Sequence, residues 1–187
     1  MDPASSARNK FGLFPLSPTR FRQGIMDKQA FWKLLEGLDP EAAGGELAER
    51  LDALEPEAIA AYQRHFDEEH ARAYTWPLWG AAYLMEGGCS DDGFIDFRYG
   101  LISRGQKVFE SALADPDSLA VLLDEDDFLS NEEFGYVAIE VYGGKTGEEI
   151  PRGAFEGSSD PSGEEWNFDD EDLCAAKLPK LWAKFGA

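Results

Sequence analysis

Cysteine and histidine are scarce in this chain of 187 residues, with two of each. Cys89 and Cys174 stand far apart and have no metal-type spacing. Two free thiols in a reducing, cytoplasmic compartment are therefore expected rather than a disulfide framework. His65 and His70 are five residues apart, which sets them about 140° apart around a helix, so they cannot ligate one metal from a shared face. Basic residues are also in deficit: 17 Lys and Arg face 37 Asp and Glu, a formal net charge of −20. Such a surface repels phosphate backbones and anionic headgroups, so neither nucleic acid nor a membrane is an expected partner. It suits a solvated acidic face or a basic protein partner. No apolar run approaches the roughly 18 residues needed to cross a bilayer. No segment alternates with period two long enough to demand a strand, and no internal repeat is present.

What the chain does contain is material for one core. It is 43% hydrophobic and 13% aromatic, enough for a single domain and too much for global disorder. Residues 1–25 differ from the rest, with Arg8, Lys10, Arg20 and Arg22 against the single acid Asp2. This basic, proline-containing tract has no helical period and is read as a disordered leader, vector-encoded or upstream-translated, with Met26 as the natural start. The domain is then 26–187.

From Met26 the punctuation is helical. Phe31, Leu34, Leu35 and Leu38 recur at helical spacing. Asp39-Pro40-Glu41 predicts a helix start that Gly44-Gly45 weakens or splits. Pro56-Glu57 opens a helix with Ile59, Tyr62, Phe66, Ala73 and Trp76 on one face, imperfect around Glu69-His70. Gly87-Gly88 ends one helix and Ser90 caps the next, whose buried side is Phe94, Phe97 and Leu101. Gly105 is expected as a left-handed cap, followed by a short helix with Val108, Phe109 and Ala112. Asp115-Pro116 repeats the cap-plus-proline device, and Ser130 to Glu133 reads as a capping box for a helix ending at Gly143-Gly144. Residues 143–165 form a long mobile connection. A closing helix with Leu173, Ala176, Leu181, Trp182 and Phe185 is divided or kinked at Pro179. The fold class is all-α, a compact single domain of about seven to nine helices.

The densest cluster of aromatic, small and acidic residues runs from Trp76 to Arg98. Asp92 and Asp96 are one turn apart and share a helix face, with Asp91 just before them. Three such carboxylates would suit a divalent cation or supply a general base. Helix capping also explains them, because Asp91 and Asp92 sit in a first turn whose dipole favours anions. His65 and Glu69 share a face and could orient one another. Cys89 precedes a helix start, yet Asp91 and Asp92 oppose a thiolate, so it reads as a packing residue. Trp76, Trp79 and Tyr83 form a helix-face stripe of the kind that usually belongs to a core. Gly143-Gly144-Lys145-Thr146 lacks the upstream glycine and strand of a phosphate-binding loop and is set aside.

The segments RHFDE (64–68), ARAYTWPLWGAAYLMEGGCSDDGFIDFR (71–98), GLISRG (100–105), VFESALADPDSLA (108–120) and LPKLWAKF (178–185) resemble the bacterial family DUF4240. The resemblance runs from Met26 to Phe185. It implies no activity, cofactor or catalytic residue, since the family is one of unknown function. The expected function is therefore an acidic interaction or regulatory module of the cytoplasm, facing a basic protein partner. The alternative is a metal-assisted or carboxylate-based enzyme centred on Cys89 to Asp96. Its catalytic candidates are Asp91, Asp92, His65 and Glu69, with Asp91, Asp92 and Asp96 as cation ligands. Trp76, Trp79, Tyr83, Ser90 and Arg98 are the ligand-binding candidates. No cofactor is evident beyond that cation.

Overall fold

Helix-start chemistry divides the chain early. The computed structural model describes residues 26–124, 128–152 and 158–186; the expected leader lies outside them. Ten α-helices occur among the described residues, one more than the upper end of the expected range, and no strand. They are α1 (Lys28–Leu34), α2 (Ala43–Asp52), α3 (Pro56–Arg72), α4 (Trp76–Glu86), α5 (Asp91–Ser103), α6 (Gln106–Ala114), α7 (Leu119–Leu122), α8 (Val137–Thr146), α9 (Glu171–Lys177) and α10 (Pro179–Phe185). None is long and apolar enough to cross a membrane.

The core gathers around α3, which packs on α1, α5 and α8, while α8 also carries α2. Ile59, Tyr62 and Phe66 of α3 share one core with Phe31 of α1, Phe94 and Phe97 of α5, and Phe109 of α6, all fully buried. Each such side chain contributes about 1.5–3 kcal/mol by leaving water. The expected gap in the α3 stripe is filled by a carboxylate. Glu69 is only 1% exposed, pairs with Lys28 at 2.5 Å and with Arg72, and Arg72 reaches on to Glu110 at 3.0 Å. This clip ties α1, α3 and α6 together.

Several expected boundaries move, each for a local reason. Asp39 accepts from the Glu41 N–H at 3.0 Å, making a turn rather than a cap. The helix begins at Ala43 and runs through Gly44-Gly45, held by buried Ala43, Leu47 and Leu51. Trp76 does not continue α3: Thr75 accepts from the Leu78 N–H and starts α4 with Pro77 in its first turn. Gly105 has φ +82° but precedes α6 instead of closing α5, which ends on Arg104 in a right-handed conformation. The cap after Ser130 is Asn131, whose side chain accepts from the Phe134 N–H at 3.1 Å; Ser130 donates instead to Glu86 at 2.6 Å. Helix α8 passes Gly143-Gly144 and stops at Gly147, φ +73°. The closing pair divides at Pro179 as expected, but Leu173 and Ala176 face solvent, and Cys174 with Leu178 takes the buried positions.

Of the stretch 143–165, the first four residues are helical and Ile150 is buried. Farther on, Ser162 pairs in parallel with Thr75: its N–H donates to Tyr74 O at 3.0 Å and its carbonyl accepts from Trp76 N at 2.8 Å. That bridge lays the connection across the start of α4.

Candidate functional site

The corner between α4 and α5 is built by its caps. Gly87 takes φ +66° and ends α4, a conformation that costs a side-chain-bearing residue energy. Ser90 accepts from the Gly93 N–H at 3.2 Å and starts α5, as expected. Trp79 donates its indole N–H to the Cys89 carbonyl at 3.0 Å, locking the turn between them.

A cavity of about 520 Å³ lies beside this corner. From α3 and its end come Asp67, His70, Ala71 and Tyr74, spaced i, i+3, i+4 and i+7 on one face. From α5 come Asp91, Ile95, Arg98 and Tyr99, again one face. Trp79 of α4 supplies a wall, and Arg152, Ser158 and Ser159 complete the rim. A volume of this size falls in the usual range for a small-molecule site.

Arg98 dominates the electrostatics. It is 6% exposed, yet no carboxylate pairs with it among the described residues. Its Nε donates to Phe94 O at 3.1 Å and Nη1 to His70 O at 3.0 Å. Its guanidinium carbon lies 4.7 Å from the Tyr74 ring centre and 4.9 Å from that of Phe94. Among the described residues Nη2 has no hydrogen-bond partner. Burial pulls the Arg98 pKa down to about 10, which leaves it charged at neutral pH. Carbonyls and ring faces offset part of the cost of burying a cation, but they supply no counter-charge.

Groups that could do proton or covalent chemistry nearby are poorly tuned for it. Burial and then the Arg98 charge lower the His70 pKa to about 3, so the ring is neutral and a weak base. Its Nε2 is buried and has no close hydrogen-bond partner among the described residues, although the Ile95 backbone works weakly against the fall in pKa. Burial, then Glu86, push the Cys89 thiol up to about 12, which leaves almost no thiolate at neutral pH. Asp67 is raised by burial, although it accepts from Gln63 at 2.8 Å.

The three acids of the corner do not converge. Asp91 faces the cavity, whereas Asp92 and Asp96 lie about 100° and about 140° away around α5. Asp96 is raised by burial and by Glu132 and Asp92, placing it among other acids. No group of three or more His, Cys, Asp or Glu side chains among the described residues is arranged to hold a metal. His65 and Glu69 do not pair either. His65 contacts Glu68 through Nδ1 at 3.2 Å and the Met26 carbonyl through Nε2 at 2.9 Å, while Glu69 belongs to the Lys28–Arg72 clip.

Of the aromatic stripe, Trp79 alone lines the cavity. Trp76 stacks on it at 5.4 Å, and Tyr83 bonds Asp169 at 2.5 Å; both pack on Phe168. Ser90 acts as a cap outside the cavity lining. Sequence reasoning found Asp91, Trp79 and Arg98 but missed Asp67, His70, Tyr74, Tyr99 and Arg152. The helical spacing of Asp67, His70 and Tyr74 was the available signal, a polar face flanking the apolar one.

No curated protein and no solved structure matches the chain. The resemblance expected from Met26 to Phe185 is matched over the shorter range 26–143, which is still more than half the chain. On that match the chain belongs to DUF4240, a family described as protein of unknown function.

Proposed function

We propose that the domain is an interaction or regulatory module that binds an anionic group of its ligand in the pocket at Arg98. The observation carrying this reading is a cation 6% exposed, without a carboxylate partner among the described residues, in a cavity wall of a chain with net charge −20. With so many acids available, leaving this arginine unpaired serves an incoming counter-charge better than it serves the fold. An anion entering there meets a lower dielectric than at the surface, where the same pair is worth little. The detuned His70 and Cys89 favour binding over turnover, so the carboxylate enzyme is the weaker reading.

The test is thermal shift and calorimetry with acetate, benzoate and inorganic phosphate, against sodium chloride at equal ionic strength. At least one anion is expected to raise the Tm of the wild type saturably and to leave Arg98→Met unmoved. Arg98→Met itself should lie within about 1 kcal/mol of wild type, as expected when a removed charge was uncompensated. No response in the wild type, or the same response in the variant, overturns the proposal.

A basic protein partner in the cytoplasm is the second reading. The net charge favours it, as does a groove between α2 and α8 edged by Glu132, Glu133 and Glu140 beside the half-exposed Tyr136. Capture of such a partner should weaken steeply with salt; salt-insensitive capture removes this reading.

A further inference from the structure

The Arg98 cavity holds charges of both signs. Asp91 and Asp67 line it together with Arg98 and Arg152. No close ion pair joins any two of the four among the described residues; Asp67 accepts from Gln63 and feels the Arg152 charge, whereas Asp91 has no cation beside it. Opposite charges lining one cavity form salt bridges when their side chains can reach one another. Here the backbone and the rings prevent it. Arg98 is pinned by two carbonyls and by Tyr74 and Phe94, and Asp91 is fixed at the first position of the same helix. Between the two poles the wall is apolar, from Ile95, Tyr74 and Trp79.

We infer that the ligand is a zwitterion, an amino acid or short peptide with a free carboxylate and a free ammonium, seated with its carboxylate at Arg98 and its ammonium at Asp91, the first residue of α5. This rests on the anion-binding reading above and adds the second pole. A plain anion would leave Asp91 and Asp67 facing it across one cavity, a repulsion that the ammonium of a zwitterion turns into attraction. The apolar wall between the poles suits a hydrocarbon or aromatic body.

The experiment screens pools of the twenty amino acids and of dipeptides made from them by thermal shift. It then compares the best binder by calorimetry in three forms: free, C-amidated and N-acetylated. The free form is expected to bind, and each capped form to lose about tenfold or more in affinity. Asp91→Asn, checked for folding by circular dichroism, should narrow the gap between free and N-acetylated forms. The capped ligands make the same test on unmutated protein. Binding by dipeptides but not by single amino acids assigns the source to peptides, and the reverse to free amino acids; either supports the inference. An N-acetylated form that binds as tightly as the free one overturns the zwitterion while leaving the anion site standing. The same holds if simple anions act through Arg98 and no pool member binds. If neither anions nor zwitterions respond, or the amide binds as well as the acid, both readings fall.

Discussion

His70 sits with its ring 6.5 Å from Phe66 and 4.6 Å from Tyr99, and its proton balance reports on the fold. In the unfolded chain it titrates at its ordinary 6.5; in the fold its pKa is lowered to about 3 by burial and Arg98. The folded state thus binds this proton less readily than the unfolded one. Stability from the neutral ring is fully present above about pH 6.5 and is lost as the pH falls toward 3, by at most about 1.4 kcal/mol per pH unit. Urea midpoints at pH 7 and pH 5 should show the loss in wild type. His70→Phe, which keeps the stacking and removes the proton, should flatten that interval. An unchanged slope in the variant would place the pH dependence on other groups.

At the scale of elements, two long-range contacts decide how the pieces meet. Asp117 is 4% exposed, and its carboxylate accepts from the N–H groups of Lys180 at 2.9 Å and Leu181 at 2.8 Å. It caps α10 from a turn more than sixty residues earlier. Asp117→Ala should cost about 2–3 kcal/mol, since two buried N–H groups lose a charged acceptor. Asp117→Asn should cost less, and proteolysis of residues 171–186 should accelerate in the alanine variant. Gly100 marks the other contact: a Cβ there would sit 1.5 Å from the Leu129 carbonyl oxygen. Neither backbone can yield cheaply, so Gly100→Ala should lower stability by about 1–3 kcal/mol or more in a denaturant titration.

These contacts mark what the sequence could and could not disclose. Ser90, Pro56 and Pro179 announced their boundaries because a cap or a proline acts on its immediate neighbours. Phe94, Phe97 and Leu101 kept helical register with the core, so their burial was legible. Asp117 was not, because its acceptor role depends on a helix that arrives 63 positions later. Glu69 looked like a break in an apolar stripe, and only the arrival of Lys28 and Arg72 makes its burial tolerable. The cavity shares this property: a third of its lining comes from α3 and its end, a third from α5, and the rest from Trp79 and the later rim, and no local pattern reports their meeting.

For the whole molecule the excess of 20 negative charges governs behaviour in solution. Like charges repel more strongly in the compact state, and salt screens them beyond a Debye length of about 10 Å at 0.1 M. Sodium chloride raised from about 0.02 to 0.3 M should therefore increase Tm, by about 2–4 °C for each kcal/mol recovered. A flat or falling Tm would show that attractive surface pairs outweigh the repulsion. Surface pairs such as Lys145–Asp52 and Lys177–Glu164 are weakened by the same salt and work against that rise.

Trp79 is 9% exposed, stacked between Trp76 and Phe94, and yet forms part of the cavity wall. Among the five tryptophans it is the one whose indole borders that space. Whatever enters displaces water from its edge and changes the polarity around a chromophore. The protein therefore carries its own optical probe, and the colour of its ultraviolet emission follows whether the cavity is filled.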